Sequence, residues 1–237
     1  QARVNFNGFD YSDAPLFGGG IADQDFRDRK ETVFSARGDY AISPDTALFL
    51  RGEVNERDYD LVPPAAGLLR DSSGYKVEVG ADFDIRGVAR GAIGVGFIQQ
   101  DYDSAALQTI DGLAFDGVLE WFPTPLTTVT FTGSRGVQDA AIAGSGGYVS
   151  ANLGGHVDHE LRRNLILSAS LNWGEDEYSG LDRTDQRIGA NVSATYFMNR
   201  NVGARIGFSH VDQDSSGLAG NQDYSRNIVA FSIVLRP

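Results

Sequence analysis

The chain has 237 residues, no cysteine and a formal net charge of -12. The acidic balance excludes nucleic acid as a partner, because phosphates demand a basic face. The missing cysteine excludes disulfide staples and thiolate metal sites. Mean hydropathy is -0.24, and no window approaches the roughly 18 apolar residues of a membrane helix. A strand crossing needs only alternation, so a membrane is not excluded.

The 29 glycines and 11% aromatics fit an all-β chain with many turns. In chain order, "ARVNFNGFDYS" (2–12) and "ETVFSARGDYAI" (31–42) read as the first strands. "TALFLRGEVNERDYD" (46–60) puts Leu48, Leu50 and Val54 on one face and Arg51, Glu53, Asn55 and Arg57 on the other. "SGYKVEVGADFDIRG" (73–87) alternates almost without error. Tyr75, Val77, Val79, Ala81, Phe83 and Ile85 oppose Lys76, Glu78, Gly80, Asp82, Asp84 and Arg86. "ARGAIGVGFIQQDY" (89–102) is glycine-rich and turns Ile93, Val95 and Phe97 to its apolar side. "DGLAFDGVLEWF" (111–122) sets Leu113, Phe115, Leu119 and Trp121 against Asp116 and Glu120. "LTTVTFTGSRGV" (126–137) places Arg135 on the face of Val129 and Phe131, which points to a bulge or offset. "GYVSANLGGHVDHE", "NLILSASLNWG", "QRIGANVSATYFM", "NVGARIGFSHV" and "NIVAFSIVLRP" complete about twelve strands.

The connections alternate between two kinds. Tight ones such as "SPDT" (43–46), "PTP" (123–125), "RRN" (162–164) and "NRN" (199–201) hold turn-forming residues. Long polar ones such as 13–30, 61–72, 175–183 and 212–223 separate the other strand ends. Short, long, short, long is the signature of an up-and-down meander with short periplasmic turns and longer extracellular loops. A soluble β-sandwich also alternates, with its apolar face turned to a dry core. Strands of about 10–14 residues match the span of a bilayer instead. Aromatics gather toward strand ends, so Tyr40, Tyr75, Trp121, Trp173, Tyr196 and Phe208 are candidate members of an interfacial girdle. Unpaired backbone is too costly in lipid, so the expected fold is a closed antiparallel transmembrane β-barrel. The whole chain reads as one such domain, embedded in the outer membrane with lipid bilayer and lipopolysaccharide around it.

The face opposite the apolar one would line the barrel. Its candidate residues are Arg51, Glu53, Arg57, Lys76, Glu78, Asp82, Asp84, Asp116, Glu120, Arg187 and Arg205. Rows of opposite charge would steer small solutes; tight pairs would plug the bore. No long internal loop is an obvious plug. His156, Asp158 and Glu160 share this parity and form the one histidine-rich spot, but a polar strand end accounts for them better than a metal or acid–base site. The glycine-rich "RGAIGVGF" and "GSGG" precede no helix and no Lys-Ser/Thr, so no nucleotide loop is read. Ser150 and Ser168 have only His156 at matching parity, which leaves a membrane hydrolase as the outside reading. The acidic loops "DQDFRDR", "EDEYSGLDRTD" and "DQDSSG" are candidates for divalent cations, without the spacing of a calcium loop. No cofactor is expected, and no feature speaks to oligomeric state.

Several stretches carry a resemblance. They include "DSSGYKVEVGADFDI", "DHELRRN", "YSGLDRTD", "YFMNRNV" and "SRNIVAFSIVLRP". Together they resemble the putative β-barrel porin 2 family of Gram-negative outer membranes, over nearly the whole chain. The resemblance implies an outer-membrane barrel without enzyme activity, and a tie to surface-polysaccharide synthesis and export. The expected function is a porin-like channel for small solutes or a barrel serving polysaccharide export. The other reading is a structural or surface-interaction barrel with a closed lumen. Members of that family are usually longer, with further strands ahead of the matched part, so this chain is expected to be a shorter relative or a portion of a larger barrel. Such barrels usually end on an aromatic residue, whereas this sequence ends on "VLRP".

Overall fold

A computed structural model describes residues 1–15, 19–22, 24–60, 69–140, 142, 145–220 and 223–235. Much of the expected loop 61–72, and Pro237, lie outside the described residues. The described residues form fourteen strands, the expected twelve or so plus two very short ones, and one 3-10 turn, Asp25–Arg27. The strands are β1 (Ala2–Phe9), β2 (Ala14–Pro15), β3 (Ile21–Ala22), β4 (Arg29–Ser43), β5 (Thr46–Tyr59), β6 (Ser72–Ile85) and β7 (Ala89–Tyr102). They continue as β8 (Ile110–Thr124), β9 (Thr127–Asp139), β10 (Gly147–Arg162), β11 (Leu165–Tyr178), β12 (Thr184–Phe197), β13 (Val202–Ser216) and β14 (Tyr224–Leu235). β2 and β3 form a small hairpin inside the first loop. The other twelve make one antiparallel sheet in chain order, β1, β4, β5 and onward to β14. An even strand number leaves the edge strands β1 and β14 antiparallel to each other, the orientation that barrel closure requires.

The register is regular. Leu50 pairs with Val79, and Val79 with Val95. Val157 pairs with Ala169, Ala169 with Val192, Val192 with Phe208 and Phe208 with Val229. Directly opposed residues point to the same face, so these rows build continuous apolar belts. The belts face outward and stay uncovered: Leu50 is 56% exposed, Val79 57% and Val95 55%. By contrast, the buried apolar side chains are Phe49, Ile110, Ala114, Val137 and Ala140. Five such residues among those described cannot form the dry interior of a sandwich, so the sandwich alternative fails. An apolar belt this wide on a convex sheet surface has lipid as its solvent.

The polar face is concave. Arg51 of β5 reaches Asp116 of β8, three strands away, and Arg29 of β4 reaches Asp139 of β9, five strands away. Side chains can span those strand separations only if the sheet curls toward them. The irregularities lie at short turns: the register shifts between Ala41 and Ser43, between Trp121 and Thr124, and between Glu160 and Arg162. The offset expected within 126–137 therefore sits just before it, at the "PTP" turn. Arg135 still lies on the parity of Val129 and Phe131.

Two stability outcomes follow from this division of faces. Val79→Arg puts a charge near the middle of the outward face and should cost about 2–4 kcal/mol of unfolding free energy in lipid vesicles. Phe49→Ala should cost about 3–5 kcal/mol, because it empties one of the few buried apolar sites. Urea titration followed by heat-modifiable gel mobility measures both.

Candidate functional site on the concave face

One half of the concave face is filled by its own side chains. Phe49 lies at inward parity, between Leu48 and Leu50, which point out. Its ring rests on two glycines of neighbouring strands. A methyl group at Gly80 would overlap the ring, and one at Gly94 would sit 3.1 Å from it. The guanidinium of Arg37 stacks on the ring at 4.0 Å, and that of Arg51 lies at 5.3 Å. Arg37 also pairs with Asp82, and with Asp39 at 2.7 Å. Arg51 meets Glu78 at 3.3 Å and Asp116 at 3.2 Å, while Lys76 Nζ lies 2.8 Å from Glu78. Glu78 is fully buried by this arrangement. Buried carboxylates persist only when paired, and this one has two cations.

Near the long-loop ends a second cluster centres on Asp139. β9 pairs with β8 only as far as Arg135, and beyond that with β10 alone. The freed end turns inward, so Asp139 meets Arg29 at 3.2 Å and Arg70 at 3.7 Å, and accepts a hydrogen bond from Tyr59. Arg70 also donates to Ala140 O at 2.7 Å. Arg29 lies over the Phe9 ring at 4.3 Å. Gln100 donates to Ser72 at 3.0 Å, and both are buried. The hub thus blocks the β4–β9 side with paired charge and hydrogen-bonded polar groups. Arg57 adds a pair with Glu31 at 3.0 Å.

The other half, β10–β14, is open. Asp176 and Asp185 are buried near the long loops, held by Arg187 at 2.8 Å and Arg183 at 2.6 Å respectively. Below them the face carries hydroxyls, amides and glycines over β10–β13, with Ile166 among them, and β14 contributes Ile228, Ala230, Ser232 and Val234. A recess of about 450 Å³ is lined there by His156, Ser170, Asn191, Ser193, Arg205 and Ser209, among others. Arg205 donates to Ser193 at 2.9 Å, and among the described residues makes no ion pair. His156 Nε2 lies 3.0 Å from Asp158, and Ser168 donates to the other oxygen of Asp158 at 2.5 Å. The carboxylate stands between serine and imidazole, so no imidazole is placed to take the serine proton. Glu160 is not drawn into this group. His159 lies on the other face, 2.9 Å from Thr127 Oγ1.

Of the expected lining residues, Arg51, Lys76, Glu78 and Asp116 come together in one network, and Asp82 joins it through Arg37. Arg90 pairs with Glu120 near the short turns. Glu53 lies opposite Lys76, and Asp84 opposite Arg90, in the ladder. Arg57, Arg187 and Arg205 stand apart from that network. Among the aromatics, Tyr40, Trp121 and Tyr196 lie near short-turn strand ends, and Tyr75 and Trp173 lie toward the long loops. Phe208 sits midway along β13, between Val192 and Val229. Reading the sequence missed Phe49, whose signal was a large apolar residue at inward parity facing glycines at 80 and 94. It also missed Asp139 with Arg29, Tyr59 and Arg70, because strand parity assigns Asp139 to the outer face.

Similarity to known proteins agrees with this geometry. The FrpB iron transporter from Neisseria meningitidis, F5-1 variant in its apoprotein form, superposes with a TM-score of 0.56 at 10% identity. The match covers 80% of this chain and 37% of that one. The F3-3 variant gives a TM-score of 0.52 at 11% identity, covering 82% of this chain and 39% of that one. This chain therefore spans under two fifths of those transporters, and the likeness speaks to fold alone. The NanC porin matches at a TM-score of 0.43 and 10% identity, over 91% of this chain and 96% of that one. A search of curated protein sequences finds no match. The family model described as putative beta-barrel porin 2 matches residues 1–237. With its convex apolar belts, curled twelve-stranded sheet and alternating short and long connections, the chain belongs to the putative β-barrel porin 2 family of the bacterial outer membrane.

Proposed function

We propose that the chain acts as a non-enzymatic, porin-like channel whose solute path follows the concave face of β10–β14. One observation carries this reading: the interior is filled over β4–β9 and recessed over β10–β14. Filling one side narrows a bore, and leaving the other side lined by small polar groups keeps it wet. Small solutes suit the recess of about 450 Å³. Passage of a polysaccharide would need a wide bore at both ends, and the Asp139 hub works against that. A second reading, a structural barrel with a closed lumen, draws its support from that same hub. The acidic loops would lie among lipopolysaccharide headgroups, where divalent cations gather.

Planar-bilayer recording separates the two readings. Steady single-channel steps support the channel; silence from folded, heat-modifiable protein supports the closed barrel. Asp139→Ala should raise single-channel conductance, because it releases Arg29, Arg70 and Tyr59. It should also cost about 3–5 kcal/mol of stability, since two arginines lose their buried partner. Unchanged conductance in that variant would remove the hub from the path. Arg205→Glu should move the reversal potential in a salt gradient toward cation selectivity. An unmoved potential would place Arg205 outside the path.

A further inference from the structure

We infer that the open half of the concave face selects uncharged solutes bearing several hydroxyl groups, an assignment that rests on the channel reading above. The ladder carries the observation. Thr130, His156, Ser170, Asn191 and Ser209 stand side by side across five consecutive strands, each directly opposite the next. The next row toward the short turns sets Asp158, Ser168 and Ser193 side by side. Neighbouring strands lie about 4.8 Å apart, so hydrogen-bonding groups recur at that interval across the band. Asn191 donates to Ser170 at 3.1 Å, which leaves its carbonyl oxygen and the serine's hydroxyl proton and second lone pair open to a solute. Glycines at 189 and 207 face inward beside the band and keep backbone height low, so a solute can approach, whereas Gly154 is covered by Thr132 and Asn172.

Charge is scarce along this band. Asp158 is engaged by His156 and Ser168, and Arg205 lies one row further toward the short turns. Asp176 and Asp185 above the band are held by their arginines. An ion entering here would shed hydration against one unpaired cation among the described residues, Arg205, and no row of opposite charge to replace it. A polyol exchanges water hydrogen bonds for side-chain hydrogen bonds at nearly equal strength, group by group. The filled half differs in kind: its polar groups are ion-paired and turned toward one another, which leaves few donors or acceptors for a solute.

Liposome swelling tests the assignment. Purified protein is reconstituted and challenged with isosmotic glycerol, neutral pentose and hexose sugars, and sugar acids of matching size. Potassium chloride conductance is recorded in parallel. Neutral sugars should enter faster than sugar acids of the same size. The triple variant Ser170→Ala, Asn191→Ala, Ser209→Ala widens the path, so simple sieving predicts faster entry for every solute. The assignment instead predicts that sugar entry falls roughly five-fold through lost hydrogen bonds, while conductance holds or rises. Faster sugar entry in the variant, or sugar acids outpacing neutral sugars in the parent, would overturn the assignment and leave the channel intact. No flux of any solute, glycerol and potassium chloride included, from folded protein would overturn the channel reading and the assignment with it. Heat-modifiable mobility confirms that the variant is folded before flux is compared.

Discussion

Everything in this fold depends on pairing backbone polar groups where water is absent. An unpaired amide or carbonyl in hydrocarbon costs several kcal/mol, so each strand must hydrogen-bond to its neighbours along its length. The twelve strands run in sequence order because hairpins are the simplest way to satisfy that demand. Strand geometry then forces alternate side chains to opposite faces. One face must dissolve in lipid and the other must manage whatever polarity the chain retains. The exposed rows through Leu50, Val79 and Val95 meet the first requirement.

The second requirement is met in two different ways. Across β4–β9 the interior solvates itself: Glu78 takes Arg51 and Lys76, Asp139 takes Arg29 and Arg70, and Phe49 fills the space two glycines leave. Across β10–β13 the interior carries small hydroxyls and amides such as Ser168, Ser170, Asn191, Ser193 and Ser209. Mixed use of one face explains why its residues are sometimes charged and sometimes merely polar. Most of the charge stands where a partner is within reach, Arg205 being an exception, and most of the polar groups on the open wall are neutral. The inward turn of β9 after Arg135 ties the two halves together, since it carries Asp139 off the outer face and into the hub.

Much of this was legible in the sequence. Strict alternation in "SGYKVEVGADFDIRG" is enough to predict β6, its two faces and the lipid exposure of Val77 and Val79. Loop asymmetry predicts the order of the meander. Arg51, Glu78 and Asp116 were readable as inward, but their meeting was not, because parity says nothing about which strands face each other across the curl. Arg29, Arg70 and Asp139 were illegible for a related reason. Arg70 lies outside the alternating segments, and Asp139 changes face only because a neighbouring strand stops pairing. Phe49 lay between the two cases: its parity was plain, and the glycines at 80 and 94 become meaningful only with the register known.

The claim beneath all of this is that odd-numbered positions of β6 face lipid and even-numbered positions face the interior. A nitroxide scan of residues 75–85 in liposomes reads that directly, by collision with oxygen and with a water-soluble nickel chelate. The account predicts a period of two in oxygen accessibility, with maxima at positions 77, 79, 81 and 83 and low values at 76, 78, 80 and 82. A flat profile, maxima at the even positions, or nickel accessibility at positions 77 and 79 would contradict it.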